Sequence, residues 1–404
     1  MMNRMNRKIS LGSAVVLMCF AVLLTFMITF VNVNNRYNKM LANTAIGDKV
    51  NLKLAELDKK AREYYIGEID NQKLLDSIAE GYVRGLDDRY AEYMNAERFA
   101  EYMQSNQGKM VGIGVEVLPS EEMGGVIEIT HVMADSPAEI GGMIVGDYIY
   151  KVNSELVSSL GYMGAVDKVR GEKGTEVILT ILRESEELEL TFIRDEVKTV
   201  TVQSRLINNN IGYIRIKEFN KETPNEFIEA MKSLESLGAL SYIFDVRYNP
   251  GGDLDGVTET LDYLLPEGPI IKYVSKDGGE VIVSSDPNDI VAPMAVLMNE
   301  STASAAELFC AALRDYEKAV LIGVKTYGKG TMQTIYPLSD RVTAFKITYA
   351  KYYPPFGGSY DGIGVYPHNG MEIKLPDELL KEKSFDRLTD EEDTQLQAAI
   401  NVFK

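Results

Sequence analysis

From Val200 onward, short apolar β-type runs alternate with amphipathic helical stretches, and this alternation restricts the chain to a layered βαβ-type domain more firmly than any other feature. IGYIRI (211–216) reads as a strand. Thr223, Pro224 and Glu226 then supply an N-cap, a first-turn proline and the N3 acid of a capping box. They open a helix with Phe227, Ile228, Met231 and Leu234 inward, which Gly238 ends. SYIFDVR returns as a buried strand into the turn NPGGD, a second helix runs to about Leu265, a hairpin crosses Lys272 to Ser284, and PMAVLMN is the next strand.

Upstream the pattern changes. Between Gly108 and Arg194 lie the alternating runs GIGVEV, GVIEITHV, DYIYKVN and EVILTIL, with one helical stretch around Gly161 to Val169, which suits a compact barrel-like unit. Residues 40–105 read as helical, with Leu74, Leu75, Ile78, Tyr82 and Leu86 at three- and four-residue spacing. Residues 9–31 carry no charge and follow Arg4, Arg7 and Lys8, a length that crosses about 30 Å of hydrocarbon at about 1.5 Å per residue. The positive-inside rule leaves residues 1–8 cytoplasmic and exports everything after Asn32. A cleaved signal peptide is the competing reading, but the run exceeds a usual apolar region and Asn32, Val33 and Asn34 offer no small-residue cleavage site.

The net charge of −18 gives no footprint for a phosphate backbone, which argues against a nucleic-acid partner. Cys19 and Cys310 occupy unrelated contexts, so no disulfide framework is expected. Neither His131 nor His368 has a Cys or His at metal-ligand spacing, and no metal or organic cofactor is expected.

The exit of PMAVLMN carries the chemistry. After Asn299, residues Ser301 to Glu307 lead into a small-residue helix ending near Arg314, so a serine here stands at a helix N-terminus, where N–H groups favour a developing oxyanion. Ser304 followed by Glu307 is also an ordinary capping box. A serine nucleophile needs a base. His131 belongs to the β-rich module and His368 to the loop-like YPHNG. The alternative is a lysine whose pKa falls from about 10.4 through desolvation. Lys329 is that candidate, between Gly328 and Gly330 after a strand that should run beside PMAVLMN. An exposed loop lysine is the plainer reading of Gly-Lys-Gly alone. A phosphate-binding loop over Gly323 to Lys329 fails, because Gly330 stands where Ser or Thr should be.

STASAAELFCAALRD followed by KTYGKGTMQ closely resembles the catalytic region of the carboxyl-terminal processing peptidases, PDZ-containing Ser/Lys proteases of the tail-specific type. The resemblance implies Ser304 as nucleophile, Lys329 as general base and Gln333 as the residue that orients the amine. DVRYNPGGD (245–253) matches the family's oxyanion turn, with Gly251 or Gly252 and the Ala305 amide as donors. GIGVEV (112–117) and SPAEIGGMIVGDYIYKVNSELV resemble a PDZ domain, whose Gly112, Ile113, Gly114 and Val115 would capture a peptide C-terminus by β-augmentation. Arg170 matches a position that links an occupied PDZ domain to the core. YVRGLDDRYAEYM (82–94) and FKITYAKYYPPFGGSYDGIGVYP (345–367) extend the likeness to about residues 60–375, and His368 departs from it, where the family has aspartate.

The implied fold is an α+β multidomain chain: a transmembrane helix (9–31), a helical region (40–105), a PDZ domain (106–192), a layered αβ peptidase core of the crotonase/ClpP-like kind (197–375) and a helical tail (376–404). The implied function is limited proteolysis of exported proteins by a single-pass enzyme of the cell membrane, its catalytic part extracytoplasmic. Substrates would be held by their free C-termini, and the tail could serve a homodimer. Two alternatives differ in class: an inactive membrane-anchored PDZ scaffold, and a crotonase-like enzyme sharing the layered architecture.

Overall fold

The computed structural model describes residues 18, 20–33, 47–105, 109–120, 123–184, 186–198, 200–383 and 385–404, and the chain divides into units of residues 1–78 and 79–404. In the first unit, residues 20–33 are helical with every side chain exposed, and a further helix spans Gly47–Tyr64. Among the described residues no helix is long and apolar enough to cross a membrane. Residues 9–17 and Cys19 of the expected span lie outside the described residues, so the structure lends the span over 9–31 no support.

The second unit is built around a sheet whose strands run in the order Val202–Ile207, Ile211–Ile216, Ser241–Asp245, Met294–Met298, Ala319–Gly323. The first pair is an antiparallel hairpin and the rest are parallel, with the last strand beside Met294–Met298 as the sequence predicts. Every residue of Ser241–Asp245 and Met294–Met298 is buried, which is why MAVLM and the centre of SYIFD carry no polar alternation. Phe244 and Val296 belong to a core with Phe227, Leu261 and Phe309 from the helices Thr223–Ser236, Leu254–Asp262 and Ala305–Asp315. The alternate residues Ile243, Ala295 and Leu297 pack with Leu396, Ala399 and Ile400 of the helix Thr394–Val402. The segment read as a tail thus spends its apolar face on its own chain.

A second sheet forms around the strand Ala344–Tyr353. It pairs antiparallel with Thr331–Pro337, with Gly268–Ser275 and with Glu92–Met94, and Gly268–Ser275 also carries the hairpin partner Glu280–Ser285. Residues 40–105 are therefore not helical throughout, because Glu92–Met94 is a strand ahead of the helix Ala96–Ser105. Three residues are too few to carry a period of two.

The expected capping box at Thr223 also gives way. The Glu226 carboxylate accepts from the Thr201 and Val202 N–H groups and the Thr201 hydroxyl, while Asn220 Oδ1 takes the N–H groups of Glu222 and Thr223. A distant pair of strand-end donors outcompetes the local cap.

Residues 115–193 form a sheet in the order Val115–Pro119, Ile127–Val132, Tyr148–Val152, Glu176–Arg183, Glu186–Ile193, around Ile129, Ile149, Leu179, Ile181 and Phe192. Across it lies the helix Val157–Val169, kinked at Gly161. The strand Lys109–Gly112 pairs outside this sheet with Asp195–Lys198.

Candidate active site

Ser304 enters the site from a loop stitched to the 245–253 turn. Asn299 Oδ1 accepts the N–H groups of Tyr248 and Ser301, and the Thr302 hydroxyl donates to the Val246 carbonyl at 2.8 Å. The backbone at Ser304 has φ 56° and ψ −119°, a conformation that costs an L-residue energy and projects its side chain off the strand-to-helix corner. Gly251 fits against this corner because it lacks a side chain. A Cβ there would lie 2.7 Å from Ser304 Cβ and 2.8 Å from the Ala305 nitrogen.

Glu307 has a second role beyond its cap. Its fully buried carboxylate accepts the Ser304 N–H at 2.9 Å, the Thr326 hydroxyl at 2.5 Å, and the N–H groups of Gly328 at 2.6 Å and Lys329 at 2.7 Å. One side chain thereby fixes the serine corner and the lysine loop together. Nothing in the sequence separates this acid from an ordinary cap.

Lys329 is half-buried, with Nζ 4.5 Å from the centroid of the Tyr90 ring and its carbonyl accepting the Tyr352 hydroxyl at 2.6 Å. Burial lowers its pKa below the ordinary lysine value, and the like charges of Lys346 and Arg89 push the same way against Asp88 and Glu307. Among the described residues no hydrogen bond joins Lys329 Nζ to Ser304 Oγ, and no carboxylate lies within ion-pair distance of it.

Ser304, Lys329 and Gln333 all line one cavity of about 740 Å³, with Gly252, Ala305, Tyr90, Lys346 and Tyr352. The Gln333 carboxamide nitrogen is held by Thr331 and by the Thr348 hydroxyl at 3.1 Å, which leaves its oxygen as the end able to accept from an amine. The Gly251 N–H donates to Asn249 Oδ1 at 2.8 Å and is occupied. Among the described residues neither the Gly252 nor the Ala305 N–H has an intramolecular acceptor. His368 does not line the cavity; its Nδ1 accepts the Leu321 N–H at 2.9 Å, and its backbone N–H donates to the Leu321 carbonyl. His131 sits opposite Glu116 in the 115–193 sheet. The cavity wall from Arg89 to Glu92 comes from the segment ahead of that sheet, to which sequence reasoning assigned no role.

A second cavity, of about 220 Å³, lies between the strand Val115–Pro119 and the helix Val157–Val169, lined by Gly112, Ile113, Gly114, Val115, Tyr162, Val166 and Arg170 among others. Gly114 has φ 83°, and a Cβ there would meet Ser136 Cβ at 2.3 Å. Arg170 thus faces this groove. The groove strand touches the core elsewhere, through Glu116, whose carboxylate pairs with Lys217 at 2.5 Å, and Arg387 pairs with Glu128 on the neighbouring strand. Lys217 directly precedes Glu218, Phe219 and Asn220 of the first cavity.

Residues 210–370 match the model of peptidase family S41, and residues 128–183 match a PDZ domain. The chain is 32% identical over 343 residues to a carboxy-terminal-processing protease of Bartonella bacilliformis, covering 83% of this chain and 77% of that protein. It is 35% identical over 338 residues to the carboxy-terminal processing protease CtpA of Bacillus subtilis, covering 83% and 71%. A crystal structure assigned to the S41 proteases, from Bacteroides fragilis, shares the fold with a TM-score of 0.57 at 17% identity, over 84% of this chain and 92% of that one.

Proposed function

This chain belongs to the carboxy-terminal processing serine proteases of peptidase family S41, and from that premise we propose that Ser304 is its nucleophile, Lys329 its general base and the Gly252 and Ala305 amides its oxyanion donors. One observation carries the reading: a serine in a left-handed corner, a half-buried lysine without a carboxylate partner and two unspent N–H groups converge on one cavity. Neutral Lys329 would take the Ser304 proton as the hydroxyl attacks a scissile carbonyl, and the two amides would receive the negative charge that forms on its oxygen. Gln333 would accept from the lysine amine through its free oxygen and hold it toward the serine.

We also propose that the second cavity holds substrate C-termini. Gly112, Ile113 and Gly114 line it, Val115–Pro119 is the edge strand of its sheet and can take an added strand, and the apolar lining suits an aliphatic last residue. The membrane anchor over 9–31 and an extracytoplasmic site remain part of the proposal. They rest on the uncharged run after Arg4, Arg7 and Lys8.

The reading is tested by the pH dependence of cleavage of an unfolded protein by the full chain in detergent. Protonated Lys329 cannot accept a proton, so kcat/KM rises with pH through the lysine's depressed titration range and holds above it. His368→Ala leaves this profile in place. A profile that follows an imidazole and disappears in His368→Ala would reassign the base. Amidating the substrate C-terminus is expected to raise KM about tenfold while sparing kcat, as loss of uniform binding requires. Gly251→Ala is expected to lower kcat about a hundredfold by displacing the serine corner, with circular dichroism unchanged.

A further inference from the structure

Two lysines share the catalytic cavity, and their surroundings differ. Lys346 lies on the strand Ala344–Tyr353, opposite Ile335 on one side and Glu92 on the other. Its ammonium pairs with Glu92 Oε2 at 2.5 Å, and Glu92 is anchored in turn by Arg98 Nε at 3.3 Å. Lys346 has a carboxylate partner, whereas Lys329 has none within ion-pair distance. When two like charges in one cavity repel, the unpaired group is the one that gives up its proton.

We propose that Lys346, pinned by Glu92, is a positioning residue for the reaction: a second cation in the cavity that favours the neutral, proton-accepting form of the Lys329 amine. The inference rests on the assignment of Lys329 as the base. The groups that face Lys329 bear it out by sign. Arg89 and Lys346 oppose protonation, Asp88 and Glu307 favour it, Glu92 on the same cavity wall offsets part of the Lys346 charge, and the face of the Tyr90 ring attracts an ammonium. Tyr352 donates to the Lys329 carbonyl and Gln333 supplies a dipole, so neither adds net charge. Burial, which is the largest effect, and the two cations together outweigh the two acids. The arrangement also gives work to the segment Asp88 to Glu92, which delivers Tyr90, Arg89 and the anchor of Lys346 to one wall.

The experiment compares kcat/KM against pH for the full-length wild type, Lys346→Met and Lys346→Arg on one unfolded protein substrate. Lys346→Met keeps the aliphatic stem and removes the charge. Its acid limb is expected to move up by about one pH unit, about a tenfold loss below the limb, with the alkaline plateau intact. Lys346→Arg is expected to overlay the wild type. Should methionine melt the protein early, Lys346→Gln repeats the neutralisation. A neutral variant whose limb stays at the wild-type pH, or whose rate falls by one factor at every pH, overturns the proposal. Lys329→Ala separates the two failures: an active Lys329→Ala removes the base assignment itself, whereas an inactive one beside an unmoved Lys346→Met limb removes only the role of Lys346.

Discussion

Replacing Lys329 with alanine is expected to lower kcat/KM on an unfolded protein by about a thousandfold or more, with Ser304→Ala falling as far and the double variant no further. The equality follows from the roles. A serine hydroxyl without a base is a weak nucleophile, and a base without a hydroxyl has nothing to activate, so either loss removes the same step. Both single variants should remain folded. Ser304→Ala removes one oxygen, and Lys329→Ala removes an ammonium that is half-buried and has no ion pair, so thermal melting should stay within about 1 kcal/mol of wild type. Product fragments counted by mass spectrometry give the rates. Wild-type cleavage by either variant would end the Ser/Lys assignment, and three equally inert proteins would favour the PDZ scaffold.

Glu307→Gln is expected to cost about 3 kcal/mol of stability and at least about a hundredfold in kcat, although its side chain is nearly isosteric with the original. All four groups that reach this carboxylate are donors, and they divide two to each oxygen. Thr326 and Gly328 meet Oε1, while Ser304 and Lys329 meet Oε2. Whichever oxygen becomes an amide nitrogen, two buried donors lose their acceptor and face a third. The Lys329 loop and the Ser304 corner are then released together. Chemical denaturation and steady-state kinetics on the same preparation check the two effects, and a variant of normal stability and rate would show that the carboxylate only caps its helix.

The parts of this architecture that sequence made legible are those written in local pattern. SYIFD and MAVLM announce strands covered on both faces, and the strand, small-residue helix, strand and Gly-Lys-Gly succession sets Ser304 and Lys329 in the segments that follow two neighbouring strands of one sheet. What stayed hidden depends on partners remote along the chain. Glu307 resembles any cap until its acceptor oxygens are found beside backbone donors 21 and 22 positions later. Glu92–Met94 is too short to show a period, and its pairing with Lys346 spans 254 positions. The proposal of Gly252 over Gly251 as oxyanion donor rests on the Asn249 side chain having already taken the Gly251 N–H, a contact the local sequence does not signal.

One buried contact also bears on when such an enzyme becomes dangerous to its surroundings. The Arg247 guanidinium, in the turn that leads to Gly252, is shared between Asp245 and a pair of acceptors, Asp393 and Gln395, that follow it by 146 and 148 positions. A guanidinium denied its acceptors resists burial, so the turn has no reason to settle before that late segment arrives. An incomplete copy of this protease therefore carries Ser304 beside an unsettled turn, so the last helix to be made is the one that completes the proposed oxyanion site.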